Sequence, residues 1–273
     1  MSFLPNNLLR VALPPELEDE KKQAYMFLKW YKESKIRRWM EYDRRNEDLI
    51  KLAESKPGQK ILDIGCAWGY SLMRLSSMGV LAYGIDVDVQ AIEFGKRLAE
   101  YNGYKVDLRY ANAKSLPFEN EYFDTIICAE TFEHIPLENH LTVFGEMKRV
   151  IKKGGKIVLS TPNPYGVAEI GKWIGGKIPF FREKFPASYR SYPKSYTFET
   201  GDEMVDFLVT KKDLKQYAKK LNLKIIRTDN IVFVLKIFPD WLFYPLVFME
   251  KILESTPFLK SFASTSVYVF QKI

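Results

Sequence analysis

The sequence contains two cysteines in 273 residues, Cys66 and Cys128, far apart in the chain. They form neither a CxxC metal pair nor a disulfide framework, and a reducing compartment with both thiols in the core is expected. Histidine is equally scarce, with His134 and His140 alone. Every long apolar stretch is broken by charge or proline before it reaches the length of a bilayer span. The opening segment, MSFLPNNLLRVALPPELEDEKK, carries no basic leader and no apolar run followed by a small-residue cleavage site, so a cytoplasmic location without export is expected. No internal repeat and no low-complexity tract occurs, which removes the solenoid and disordered classes.

What is present is ordinary for a chain that buries a substantial core: 47% apolar residues at a length suited to one decorated domain. The formal charge of +7 favours contact with something anionic, whether a membrane surface, nucleic acid or a phosphorylated metabolite, without choosing among them.

Gln23 to Asn46 mixes charges with spaced aromatics, as a solvent-facing amphipathic helix does, so residues 1–46 are expected to form an N-terminal helical cap. From Lys60 onward short apolar runs alternate with helical spacings: KILDIG, LAYGID, VDLRYA, FDTIICAE, KIVLST, KIIRTDNIVFV and STSVYVFQ. With helices predicted over Val89–Tyr101 and Leu141–Ile151, this rhythm implies right-handed crossovers and a mostly parallel α/β sheet over residues 47–273. Ligands of such sheets bind at the carboxyl ends of the strands. Residues 165–209 and 237–262 do not fit the rhythm and read as insertions near that end.

The best local signal is KILDIGCAWGY, a strand ending at Asp63 that turns through Gly65, Ala67 and Gly69 into a helix beginning near Tyr70. Small residues let backbone approach a ligand, glycine tolerates positive φ, and a helix amino terminus offers amide donors to a polar group. Asp86, at the end of the next strand, lies at the spacing that delivers an acid to ribose hydroxyls. A nucleoside-containing cofactor follows. A dinucleotide fingerprint would read GxGxxG, and this loop lacks its middle glycine, which weakens a nicotinamide reading.

The chain here resembles the class I S-adenosylmethionine-dependent methyltransferases, including their small-molecule, lipid and quinone-type members. The resemblance runs through Asp63-Ile64-Gly65-Cys66-Ala67-Trp68-Gly69, through GIDVD, through ANAKSLPFENEYFDTIICAETFEHI and through EMKRVIKKGGKIVLSTPNP, about residues 55 to 165. It departs at Ala67, where that family usually has glycine, and at Asn112, where aspartate is commoner. The resemblance implies a Rossmann-like, doubly wound seven-stranded sheet in the order 3-2-1-4-5-7-6 with strand 7 antiparallel. It also implies that S-adenosyl-L-methionine is the cofactor, with Asp63 and the Gly65 to Gly69 backbone at its methionine portion, Asp86 at the ribose, and Asn112 with Ala113 at the adenine edge.

In that fold the segment Cys128 to His134 sits beside the transferred methyl group. His134 is the candidate base and Glu130 a residue lining the site, with plain structural packing as the alternative for His134. His140, in a more polar run, reads as a solvated residue at the start of the next helix. The spacing of Glu130, Glu133 and His134 would put all three on one face of a helix and resembles metal-assisted O-methyltransferases, but no metal is assigned. The NPY at Asn163–Tyr165 comes one strand too late to mark methylation of a nucleobase or side-chain amine.

Tyr165 to Phe198 interleaves basic and aromatic residues and reads as an acceptor lid, a bilayer-interface segment or an RNA-binding segment. The second insertion is rich in large apolar residues that pack on the core, on a partner subunit, on an acceptor or on lipid headgroups. The function expected is O-methylation of a hydrophobic or lipid-linked small molecule, with peripheral membrane contact in view. RNA methylation, or a methyltransferase-fold partner without chemistry, is the alternative.

Overall fold

The computed structural model describes residues 11–12, 43–175, 177–180, 194–197, 203–207, 209–233 and 239–273. The helix expected over Gln23–Asn46, and with it most of the 1–46 cap, lies outside them, as does most of the basic-aromatic run after Phe180.

The described chain runs α1 (Arg45–Ala53), β1 (Lys60–Ile64), α2 (Tyr70–Ser77), β2 (Leu81–Asp86), α3 (Val89–Tyr101), β3 (Val106–Tyr110) and β4 (Phe123–Ala129). It continues with α4 (His140–Val150), β5 (Ile151–Pro162), α5 (Val167–Gly175), β6 (Lys194–Thr197), β7 (Glu203–Asp206), α6 (Lys211–Lys220), β8 (Leu223–Ile231), α7 (Phe243–Ser255), α8 (Pro257–Lys260) and β9 (Thr265–Lys272). α1 crosses the expected boundary at residue 46. Local chemistry sets several ends. The Asp88 carboxylate caps α3 by accepting from the Ala91 amide, and Thr210 and Asp213 form a reciprocal capping box on α6. α4 stops at Val150, one residue short of expectation, because Ile151 already pairs with Phe123 of β4.

Seven strands form one sheet in the order β3-β2-β1-β4-β5-β9-β8. β1 to β5 are mutually parallel, and β9 runs antiparallel to both neighbours. With the separate β6–β7 hairpin set aside, this is the expected order 3-2-1-4-5-7-6 with the last strand reversed. The inner strands β1, β4 and β9 and the second half of β5 are buried almost throughout because both faces are covered, whereas the edge strands β3 and β8 carry charged, part-exposed residues. On one face Ile61, Ile127, Val158, Val267 and Val269 meet α1, α2, α3 and α7. On the other, Leu62, Ile126, Leu159 and Phe270 meet α4 and α6. Each such side chain contributes about 1.5–3 kcal/mol by leaving water.

The two late insertions share an anchor at the end of β5. Asn163 is buried; its Nδ2 donates to the carbonyls of Ser261 at 2.9 Å and Ala263 at 2.7 Å, and its Oδ1 accepts from the Tyr165 amide. The Val167 amide, opening α5, donates to the Phe262 carbonyl just past α8. The NPY motif is therefore a clamp between α5 and the α8–β9 link.

Replacing Asn163 with alanine strands these carbonyls without donors, and we expect a loss of about 2–4 kcal/mol. The measurement is urea unfolding, with the midpoint lowered at unchanged slope. An unshifted midpoint would show that the clamp contributes nothing.

Candidate active site

A cavity of about 790 Å³ opens at the carboxyl ends of β1, β2 and β4. Its floor is the turn after β1. There the Gly65 and Cys66 amides both donate to the Ile85 carbonyl at 2.9 and 3.1 Å, which pins the turn to β2. Gly65 has φ +74°, and a Cβ on it would fall 2.2 Å from Thr131 Oγ1, so only glycine fits beneath the β4 loop. Gly69, at φ +81°, turns the chain into α2 and packs on Leu108; of the residues named from the sequence for this site it alone does not line the cavity.

Ala67 stands at φ +46°, the left-handed conformation that the commoner glycine adopts without strain. Its amide donates to Asp86 Oδ2 at 2.7 Å, which holds the strained residue in place. The other Asp86 oxygen accepts from the Asp88 amide at 2.9 Å. Both oxygens keep further lone pairs, and Asp86 lines the cavity. Burial raises its pKa above the usual carboxylate range although these amides pull it down.

Asp63 lies wholly inside. One carboxylate oxygen accepts from the Ser71 hydroxyl in the first turn of α2, and the other, Oδ1, is buried with no hydrogen-bond partner. Burial pushes its pKa up to about 7, with the Asp86 charge adding to the effect and Ser71 and Arg45 opposing it. An orphaned carboxylate oxygen in a cavity wall fits a cationic guest such as an ammonium group. Across the cavity Asn112 and Ala113 follow β3; Asn112 Oδ1 already accepts from the Lys114 amide at 2.9 Å, leaving it one lone pair.

Further lining comes from α1, the end of β4 and the loop after it, with Ser160 of β5 behind Glu130. Glu130 leaves β4 at φ +47°. Its Oε1 accepts from the Ser160 hydroxyl of β5 at 2.9 Å, and its Oε2 lies 4.0 Å from Arg45 Nη1. His134, half-buried, ends a 3₁₀ turn over Phe132–His134 and lines the cavity. Because this turn is 3₁₀ and begins after Glu130, the three residues Glu130, Glu133 and His134 do not share a helical face. Glu133 is buried, its carbonyl accepts from the Phe207 amide at 2.7 Å and so anchors the β6–β7 hairpin, and the described residues contain no gathering of acids, histidines and cysteines able to hold a metal.

His140 corrects the sequence expectation of a solvated residue. It is fully buried, its ring centroid 4.3 Å from that of Phe132. Nε2 lies 2.8 Å from the Ile135 carbonyl and Nδ1 3.3 Å from the Tyr217 hydroxyl. Nε2 must donate, so the neutral tautomer leaves Nδ1 to accept from Tyr217. Burial lowers its pKa. The polar run around His140 is the first turn of α4, and the histidine points inward to hold the loop that carries His134.

Sequence reasoning missed Arg45, Ser71, Thr131 and Ser160. Ser71 had a usable signal, being a hydroxyl in the first turn of the helix that follows the acidic strand end. Arg45 had none, because its place depends on how α1 packs.

Residues 61–155 match the sequence profile of a methyltransferase-domain family. The demethylmenaquinone methyltransferase of Bacillus cereus (strain ATCC 10987 / NRS 248) is 30% identical over 193 residues, covering 68% of this chain and 79% of that protein. The chain belongs to the class I S-adenosylmethionine-dependent methyltransferases. The demethylmenaquinone methyltransferase of Bacillus subtilis (strain 168) is 26% identical over 193 residues, 64% of this methyltransferase and 81% of its relative. In fold, a SAM-dependent methyltransferase from Methanosarcina mazei aligns with a TM-score of 0.57 at 19% identity over 82% of this chain and 97% of that one. Geranyl diphosphate methyltransferase in complex with SAM aligns with 0.53 at 19% identity over 84% of each. S-adenosylmethionine is the cofactor of this enzyme, and the carboxylate-lined cavity suits its positive charge.

The state of Asp63 yields a test. Its folded-state pKa is raised from 3.8 to about 7, so the protein without cofactor is favoured below the unfolded value and loses stability as pH rises toward 7. Asp63→Asn removes that dependence. We expect the variant to gain up to about 4 kcal/mol over the wild type at pH 8 and little at pH 4, read from urea unfolding at the two pH values. Parallel pH dependence in the two proteins would show that the carboxylate is not strained by burial.

Proposed function

We propose that this methyltransferase acts on a hydrophobic, quinone-type or otherwise lipid-linked small molecule bearing an ionisable hydroxyl. The observation that carries the reading is the cavity lining, which brings His134, Glu130 and Arg45 into one cavity with Asp63. The relatives named for demethylmenaquinone support the acceptor class.

In this reading Asp63 holds the ammonium of the methionine portion, the Gly65 to Gly69 turn supplies close backbone, Asp86 accepts from the ribose hydroxyls, and Asn112 with Ala113 borders the adenine. S-adenosylmethionine supplies an electrophilic methyl group on a sulfonium. The chain's own task is alignment, exclusion of water and removal of one proton. His134 takes the acceptor's hydroxyl proton at a ring nitrogen. Glu130, fixed by Ser160, orients the acceptor, and Arg45 sits where it can steady the negative charge left on oxygen.

Sequence reading favours transfer to that oxygen. The relatives' names favour a second outcome, because an ionised ring hydroxyl also makes the neighbouring ring carbon nucleophilic. Transfer to carbon also requires loss of that carbon's ring proton, which leaves as the hydroxyl is restored, so one net proton is removed in either outcome; the carbon-13 shift of a labelled methyl in the product tells a methoxy carbon from a ring methyl.

Calorimetric titration with S-adenosylmethionine tests the cofactor roles: Asp86→Ala is expected to weaken binding about a hundredfold or more, the worth of lost hydrogen bonds to a charged acceptor. His134→Gln should lower kcat by about 10²–10⁴ on a quinol acceptor while cofactor affinity stays unchanged. Unchanged turnover would remove His134 as the base, and steeply salt-dependent turnover on RNA without transfer to any lipid would replace the acceptor proposed.

A further inference from the structure

α7 is apolar on opposite sides. Phe243, Leu246 and Val247 face the sheet with Glu250 at the next turn. Tyr244, Phe248, Met249 and Ile252 face outward and are exposed, continued by Trp241, 77% exposed, before the helix and Phe258, 72% exposed, in α8. A helix that is apolar all round is normally covered on all sides. α5, tied to the end of α8 through Val167 and Asn163, adds Ile170, Trp173 and Ile174 at helical spacing, all exposed. Large apolar side chains left exposed on helices linked in this way mark an interaction site.

The charges on these elements are sorted. Glu169, Glu250 and Glu254 are drawn inward: Glu169 pairs with Lys172 at 11% side-chain exposure, Glu254 with Arg44 at 14%, and Glu250 is buried and accepts from the Phe233 amide. Asp240, before α7, is half-buried. Of the lysines here, Lys172 and Lys260 are held in ion pairs with Glu169 and Asp229, while two others point out. Lys177 and Lys251 are exposed, and the Lys177 ammonium rests 3.4 Å from the centre of the Trp173 ring. Outward lysines among interfacial aromatics, with acids withdrawn, complement an anionic lipid surface, and the whole chain carries +7. At 13 residues α7 cannot span a bilayer, and no described helix is long and apolar enough to do so.

We propose that the outer face of α5, α7 and α8 docks on an anionic lipid bilayer, lying in its interface. The face stands one helix from the cavity, since Arg44 of the turn opening α1 pairs with Glu254 of α7 while the next residue, Arg45, lines the cavity. A lipid-like acceptor would thus be taken up beside the surface that holds it. The docking inference goes beyond the acceptor reading and stands without it, because the face is defined by residues outside the cavity.

The test uses the full chain without cofactor or acceptor, co-sedimented with vesicles of phosphatidylcholine alone or mixed with phosphatidylglycerol. Binding is expected to the mixed vesicles, to weaken about tenfold or more on neutral ones, and to fall with added salt. Phe248→Glu combined with Ile252→Glu alters only the outer face, so S-adenosylmethionine affinity is expected unchanged while vesicle binding drops about tenfold or more. Absence of vesicle binding by the wild type, or equal binding by the variant, overturns the proposal. So does a wild-type dimer that the same variant dissociates in light scattering, which would give the face to a second copy of the chain. Vesicle binding together with failure to methylate any lipid strikes only the acceptor reading.

Discussion

A carboxylate sealed in a protein interior opposes folding unless something compensates its charge, and the architecture around the cavity is arranged about one such group. Asp63 sits at the end of the central strand β1, where the sheet is best covered. Ser71 compensates one oxygen, and the other is buried without a hydrogen-bond partner in a residue that lines the cavity. The turn that follows is pinned to β2 through Ile85 and pressed against Thr131, so the carboxylate cannot swing out to water. In the proposed reading a cationic cofactor supplies what the fold withholds, and binding free energy then offsets the cost of burying the charge.

The strands and their order were legible because the pattern that encodes them is local. A strand buried on both faces must be apolar along its whole length, and short apolar runs separated by helical spacing leave few topologies. α3 was readable to the residue because Asp88 caps it. The turn after β1 was readable because backbone geometry there demands small residues at fixed spacing. Ala67 shows how far that demand bends: an alanine takes the left-handed conformation and Asp86 holds it there.

What escaped was tertiary. His140 looks polar in its run, yet it is the inward residue of the first turn of α4, and only the placement of Phe132 and Tyr217 makes a buried slot for it. The rim partners Arg45 and Ser160 come from elements far apart in sequence. α7 reversed a local rule, since its charge at Glu250 marks the inner side, where the Phe233 amide awaits it, while the outer side is greasy. Pro245 falls in the first helical turn, where its missing amide costs nothing.

α1 reaches three ways within four residues: Arg44 to Glu254 of α7, Arg45 toward Glu130 at the rim, and Glu47 to Arg74 of α2. α2 is also the helix whose Ser71 holds Asp63. A single helical turn therefore touches both the outer helix and the two sides of the cavity. If docking on the α7 side were to tilt this turn, thermodynamic reciprocity would require cofactor affinity to change by the same factor by which the cofactor changes occupancy of that side. The turn would then make the two sites readers of one another's state.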